Sequence, residues 1–389
     1  MKFIDSNVTE YIQEPGIDGM YKAVMEAALS CYQNEIEKST YTPKEFVDNV
    51  IIKRGHGRAL EFGTVYLKIP DTTLEIPNPL ASRIPLRHEK YRYNIWTHLY
   101  HNPDGYWYIT TNLRVLIQGW YRIDEVACTN GYDKNWLYDL EFWCEPTEHH
   151  DKRRTFSMNM CRGCTDDNRT HIALSSMAES TRWCNYTKNK FGNELTFVWP
   201  YWLKKEDMIQ FNNKTGKLYS EYSEMLRKGI LYDSTKQDAT LLVSFQHEED
   251  IYMNIVGKHG FGLQPQQGKR FLPLGIKTQL FLCGFDEAWS NFFWRRCNAV
   301  EADPECVFIA NKIKEMYYQN ERNPLDTNTE NENQSEDKVK KTVKRTPILY
   351  TDFSKMDKND PLIKAMEKRR PYRSSDFVPK YNIPDLRGT

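Results

Sequence analysis

No apolar run in this chain approaches the ~18 residues that a membrane-spanning helix requires. The opening residues, MKFIDSNVTEYIQEP, lack the basic and then apolar layout of a secretory signal. Neither sign of charge is in excess, since 53 Lys and Arg face 53 Asp and Glu. No global field draws the chain to nucleic acid or membrane, so any anion site has to be local. A GxxxxGK[ST] phosphate loop and a GxGxxG fingerprint are both missing: the glycine-rich stretch 257–275, GKHGFGLQPQQGKRFLPLG, matches neither. That removes the grounds for a P-loop nucleoside triphosphatase or a Rossmann domain. The nine cysteines are an odd count spread through 389 residues, which argues for reduced thiols against a disulfide framework. These exclusions predict a soluble cytoplasmic protein, in the host cytoplasm if its source is viral, with neither nucleic acid nor membrane as partner.

Metal-ligand patterns are also thin. Cys161-Arg162-Gly163-Cys164 is a lone Cys-x-x-Cys, with no second ligand pair evident at comparable spacing and no thioredoxin-like context. Glu148-His149-His150 reads as a solvated polar loop. No metal is predicted.

Aromatic residues, by contrast, are plentiful: 10 Trp, 24 Tyr and 18 Phe. The densest mixture of aromatic and polar residues runs from Ala173 to Trp199, ALSSMAESTRWCNYTKNKFGNELTFVW. If Ser180-Thr181-Arg182 is extended, Ser180 and Arg182 share a face, and a hydroxyl beside a guanidinium suits a phosphate or nucleotide oxygen. The competing reading is a turn whose polar groups bond to backbone.

Local signals place the elements. Met20, Val24, Ala27, Ala28 and Cys31 predict an amphipathic helix over 20–32. Thr42-Pro43-Lys44-Glu45 predicts a capped second helix, ended by Gly55, so that His56 stands at a sharp helix exit. Alternation from Thr64 to Ile69 predicts a strand. A further strand enters a helix near Asn112, and more strand is predicted up to Asp151. Residues 202–229 have a helical pattern. Trp289, Phe292, Phe293 and Arg296 stand at i, i+3, i+4 and i+7 of a helix near 286–300, which places a guanidinium on an apolar stripe. Such a group has to be paired, with a carboxylate or with a ligand. Asp303-Pro304 caps a last helix with Cys306, Ile309, Ala310, Ile313, Met316 and Tyr317 on its buried face. Beyond it, 321–345 reads as a polar disordered linker, and 346–389 as a basic, Pro-containing extended tail. The tail is a solvated appendage, or it docks on a neighbouring subunit or an acidic partner.

Taken together these stretches resemble the flavin-dependent thymidylate synthases, the ThyX family, in a divergent long form. The family carries an Arg-His-Arg triplet followed by a segment ending Ser-x-Arg-Tyr, and in longer members this reads close to ESTRYCNYSKDKFGNEITF. Here Glu179-Ser180-Thr181-Arg182-Trp183-Cys184-Asn185-Tyr186-Thr187-Lys188 is followed by NKFGNELTF. Arg162-Gly163, Asp167 and His171 fall on the family's Arg-Gly, acidic and central His positions. The blocks GHGRALEF with His56 and Glu61, PQQGKRFLP with Lys269 and Pro273, and the helix with Asn291 and Arg296 follow in order. The resemblance spans roughly Gly19 to Met316.

The resemblance implies an α/β (α+β) subunit, residues 1–320, with a central mixed sheet flanked by helices, assembled as a homotetramer with active sites at subunit interfaces. It implies reductive methylation of dUMP to dTMP, with FAD as cofactor and methylenetetrahydrofolate and NADPH as co-substrates. On the matching positions, Arg296 is the activating residue and also binds substrate, with Asp167, Ser180, Arg182 and Lys269 holding the nucleotide. His56, Arg58, His171 and Asn291 fall on the flavin side. The departures gather there: the triplet reads Thr170-His171-Ile172, Ala178 replaces a carboxylate or amide, and Phe285-Asp286-Glu287 replaces an Asn-x-Arg. Arg58 and Arg169 are the cations placed to restore the missing charge. A related pyrimidine-nucleotide C5-modifying enzyme and a non-catalytic dUMP-binding subunit with a degenerate flavin site are the alternatives.

Overall fold

In the computed structural model Thr42 Oγ1 accepts the Glu45 N–H at 3.3 Å, while the Glu45 carboxylate accepts the Thr42 N–H at 2.9 Å. This is the reciprocal cap that the sequence predicts. The structure describes residues 1–73, 87–92, 94–118, 139–201, 212, 215–218, 220–228, 237–297 and 302–319. The linker and tail predicted over 321–345 and 346–389 lie outside the described residues, as do 119–138 and 202–211.

In chain order the elements are β1 (Lys2–Ile4), β2 (Asn7–Tyr11), α1 (Gly16–Ser30), α2 (Pro43–Phe46), β3 (Thr64–Pro70), β4 (His98–Asn102), β5 (Tyr106–Asn112) and α3 (Leu113–Gln118). There follow β6 (Arg153–Cys161), α4 (Arg162–Asn168), β7 (Ser175–Ala178), β8 (Thr196–Val198), α5 (Ser220–Arg227) and α6 (Gln237–Val256). The last are α7 (Pro265–Gly268), β9 (Lys277–Phe285), α8 (Asp286–Cys297) and α9 (Pro304–Gln319). α2 runs on as a wider helical turn, Val47–Ile52, and ends at Gly55, whose φ of 70° is the left-handed conformation glycine adopts freely.

The mixture of helix and strand agrees with the α+β class. The sheet that organises it has the order β2-β6-β9-β7 and is antiparallel throughout, with register Arg153↔Phe285 to Cys161↔Lys277 and Ser175↔Cys283 to Ala178↔Leu280. Among the described residues, parallel pairing occurs in β1–β8, apart from that sheet. The second antiparallel sheet is β3-β5-β4.

Alternation along the four-stranded sheet decides what packs on each face. Phe156, Met158, Met160, Leu280 and Leu282 point to α8 and α9, where Trp289, Phe292, Ile309 and Ile313 meet them. Phe281 and Cys283 point the other way, to Ala27 of α1 and to Phe62. Arg154 ties the layers: its Nε donates to Glu10 on β2 at 2.7 Å and an Nη to the Tyr317 carbonyl of α9 at 2.6 Å. A separate core joins α1, α2, β3 and α3, and another joins β1 and β8 to α6. Gly63 is required where the Gly57–Phe62 turn meets α1, because a Cβ there would lie 2.7 Å from Val24 Cγ2.

Two local predictions are corrected. The stretch before Asp151 holds a short 3-10 turn, Leu140–Phe142, and a single bridge of Trp143 to Leu67 in place of a strand. His150 is not solvated: it is buried, and its Nε2 lies 3.1 Å from the Leu67 carbonyl, while His149 stacks on Tyr100. No helix among the described residues is long and apolar enough to cross a membrane.

Candidate active site

Glu179 explains how the segment 179–188 is held. Its side chain is 2% exposed; one oxygen accepts from the Tyr186 hydroxyl at 2.9 Å, and the other from Lys277 Nζ at 2.8 Å and the Gln279 N–H at 3.2 Å. A buried carboxylate survives desolvation only with such partners. The chain then turns. The Ser180 carbonyl accepts from the Trp183 and Cys184 N–H groups at 3.0 and 2.9 Å, and Cys184 and Tyr186 re-enter the core. Of the two readings of Ser180-Thr181-Arg182, extended or turned, the structure has the turn, because burial of the residues after it bends the chain back. Ser180 and Arg182 do not share a strand face. Arg182 is exposed and makes no hydrogen bond or ion pair with a described residue.

This turn borders a cleft of about 310 Å³ lined by Ala28, Cys31, Tyr32, His56, Arg58 and Met177, among others. The Ser180 N–H donates to the Cys31 carbonyl at 2.9 Å, and Trp183, 60% exposed, lies with its ring 6.3 Å from that of Tyr32. His56 and Arg58 therefore line one opening, and Ser180 is tied to it through the backbone of Cys31. Arg58 reaches Ser176 Oγ on β7 at 3.5 Å. The Cys31 thiol stays protonated, pushed up to about 12 by burial despite the pull of Arg169.

Arg58 lines the cleft, and Arg169 is near enough to act on Cys31 within it. Arg162 and Arg169 share Asp166, at 3.2 and 3.5 Å. Burial, then repulsion from Arg162 and Arg58, disfavours the charge on Arg169. Arg169 thus feels two other guanidiniums, and the Asp166 carboxylate pairs only with Arg169 and Arg162 among the described residues, an arrangement that an anion would relieve.

Arg296 lies on the far side of the same segment. Its Nε donates to His171 Nε2 at 3.1 Å, and an Nη donates to the Asp167 carbonyl and to Thr170 Oγ1, the latter at 3.3 Å. The guanidinium is half-buried, less than the apolar stripe of Trp289, Phe292 and Phe293 predicts, because α8 turns its last residues towards solvent. No described carboxylate pairs with it. His171 is buried against Phe292, with ring centroids 4.9 Å apart, and its pKa is lowered to about 4, first by burial and then by Arg296 and Arg295.

The structure accordingly joins Asp167, His171 and Arg296 in one cluster and His56 and Arg58 in the cleft, with Ser180 bonded to the backbone of Cys31 at its border. Asn291 is exposed on α8, where its side chain accepts from Arg295 Nε at 3.3 Å. Lys269 is exposed at the start of a 3-10 turn, Lys269–Phe271, with no side-chain partner among the described residues. Glu61, matched in the same block as His56, is a buried ion-pair partner of Arg114 and thus a structural residue. The roles of Glu179, Lys277 and Arg162 were not readable locally, since their partners lie up to 100 residues away.

Residues 144–320 match the family model Thy1, thymidylate synthase complementing protein. That segment contains Asp167, His171, Ser180, Arg182, Lys269, Asn291 and Arg296 and leaves His56 and Arg58 outside. Similar solved structures include thymidylate synthase X (ThyX) from Helicobacter pylori with FAD and dUMP, at 16% identity and a TM-score of 0.27 over 42% of this chain. Another is the UMP/dUMP methylase PolB from Streptomyces cacaoi bound with 5-Br dUMP, at 14% identity and a TM-score of 0.29, covering 43% of this chain and 67% of that one. The chain spans 66% of the length of the H. pylori structure. No curated protein matches it.

Proposed function

We propose that this chain, whose residues 144–320 match the Thy1 family model, is a flavin-dependent enzyme that methylates dUMP at C5 to give dTMP. The observation that carries this reading is the state of Arg296. Each of its acceptors, a backbone carbonyl, a hydroxyl and an imidazole held neutral, carries no formal charge. The guanidinium is fixed in direction while its positive charge remains unspent. Uracil C5 is a poor nucleophile until negative charge in the ring is stabilised, and a cation aimed at the pyrimidine meets that need.

Methylenetetrahydrofolate would bring the carbon two electrons more oxidised than a methyl group, so a hydride is needed as tetrahydrofolate leaves and the C5 proton is lost. FAD, reduced by NADPH, would supply that hydride when bound. The cleft and its rim suit such a group: an opening partly lined by Ala28, Met177 and Tyr32 accepts a planar ring, and Arg58, Arg162 and Arg169 answer phosphate charge. On this reading His56, Arg58, His171 and Asn291 serve the flavin, and Asp167, Ser180, Arg182 and Lys269 the nucleotide. Arg182 and Lys269, without a side-chain partner among the described residues, suit an active site completed between subunits of a homotetramer. Free thiols throughout the described cysteines support a reducing, cytoplasmic setting.

A non-catalytic dUMP-binding subunit is the second reading, favoured by Thr170 and Ile172 standing where the family carries two arginines. Absorbance and thermal unfolding separate the two. The enzyme reading requires flavin bands that bleach under NADPH, together with a rise in Tm on adding dUMP. A protein that gains Tm from dUMP yet never holds FAD would be the binding subunit, and one that responds to neither ligand would remove both readings.

A further inference from the structure

Gln33 is not among the residues assigned above, yet its backbone takes a shape that a β-carbon disfavours. Its φ is 52°, in the left-handed region that glycine adopts freely. The place in the chain accounts for the turn. α1 ends here in a reversal: the Gln33 N–H donates to the Ser30 carbonyl at 3.2 Å, and the Asn34 N–H reaches back to the Leu29 carbonyl at 3.1 Å. Glycine would close that reversal without strain, so the turn alone gives no reason for a glutamine.

The side chain gives the reason. Gln33 Nε2 donates to the Ser30 carbonyl at 2.7 Å and to Gln279 Oε1 at 2.8 Å, while its Oε1 accepts from Lys277 Nζ at 2.7 Å. Lys277 and Gln279, both on β9, are also the residues that hold Glu179: Lys277 Nζ and the Gln279 N–H donate to one oxygen of its carboxylate, at 2.8 and 3.2 Å. Gln33 therefore ties the end of α1 into the network from which the turn at Ser180 hangs. The backbone beside it makes the same link. The Cys31 carbonyl, at a helix end where carbonyls lack helical partners, accepts from the Ser180 N–H at 2.9 Å and the Cys184 thiol at 3.5 Å. The Tyr32 carbonyl accepts from Lys190 Nζ at 2.9 Å. Cys31 and Tyr32 line the cleft. A strained residue persists where its surroundings over-determine it, and here they join one wall of the cleft to the turn at Ser180.

We propose that Gln33 is a positioning residue whose side chain fixes the cleft wall at Cys31 and Tyr32 against the turn at Ser180, and so aligns the nucleotide with the flavin. This rests on the reading of the cleft and turn given under the proposed function. Gln33 acts through Lys277, Gln279 and Glu179 and takes no chemical step. The demand for it is geometric, since a misplacement of about 1 Å between reacting groups can cost about a hundredfold in rate.

The test is Gln33→Gly in the full chain. Glycine keeps the left-handed turn and removes the ties to Lys277 and Gln279, so Tm should stay within about 3 °C of the wild type. The Kd for dUMP, measured by titration calorimetry, should nevertheless rise about tenfold as the turn loses its alignment. Gln279→Ala breaks one of the same ties from β9 and should weaken dUMP binding as well. The double variant should then bind little worse than the weaker single variant, because both changes act on one network. Wild-type dUMP affinity in Gln33→Gly, fully additive losses in the double variant, or a Tm that falls along with the affinity and so marks a helix cap, would each overturn the inference and leave the assignment of the site standing. A folded wild-type protein that binds no dUMP would remove that assignment and this inference with it.

Discussion

Arg296 donates its Nε–H to Nε2 of His171 at 3.1 Å, a bond that exists only while that nitrogen is unprotonated. The imidazole proton therefore sits on Nδ1, and the pair works as a neutral rest for a cation. A carboxylate in place of His171 would neutralise the guanidinium; the imidazole orients it without doing so. The pair lies where the end of α4 meets α8, so the stability of that junction and the direction of the charge rise and fall together.

The first prediction concerns pH. His171 is held at about 4 in the fold, against 6.5 for an ordinary histidine. Between those values the unfolded chain takes up a proton that the native chain refuses, so stability rises with pH. The contribution is complete above pH 6.5 and is lost as pH falls towards 4, by up to about 3 kcal/mol. Urea unfolding from pH 7.5 to 4.5 should show that slope, and His171→Asn should flatten it.

Arg296→Lys keeps the charge and loses the fork that reaches His171, Asp167 and Thr170 together. Turnover should drop by about a hundredfold, the scale for removing one preorganised charge-stabilising group. Tm should shift by only a few degrees, because the residue is half-buried. An equal loss in both would mark a structural contact.

Arg58→Ala and Arg169→Ala remove cations from the cleft rim. Each should weaken FAD binding about tenfold, with a shallower dependence on salt than the wild type, as measured by flavin fluorescence quenching. Unchanged flavin affinity in both would show that the rim serves another purpose.

Glu179→Gln leaves Lys277 without its anion in a buried setting. The loss should be about 3 kcal/mol in chemical denaturation. Weaker dUMP binding should accompany it, since the turn at Ser180 hangs from this residue.

Signals confined to a few residues were legible in the sequence. The Thr42–Glu45 box, the Asp303 cap and the alternation of β3 depend on neighbours along the chain, and the structure has them. The turn at Ser180 was left open because its shape depends on where Cys184 and Tyr186 are buried. α6 escaped notice: its buried face, with Leu242, Phe245 and Tyr252, also holds Gln246 and Glu249, which break the apolar stripe. The link between Arg169 and Arg58, and the approach of Cys306 to Cys164, come from segments far apart and leave no mark in spacing. Arg296 stood out because a cation on an apolar stripe is a conflict visible at helical period.

The most direct measurement is the product of the full reaction. The purified chain is incubated with dUMP, methylenetetrahydrofolate, NADPH and FAD, and the nucleotide is followed by mass spectrometry. The account predicts dTMP, one methyl group heavier at C5, formed about a hundredfold more slowly by Arg296→Lys. Folded wild-type protein that binds both FAD and dUMP and yields no methylated nucleotide, or an Arg296→Lys variant as fast as the wild type, would contradict it.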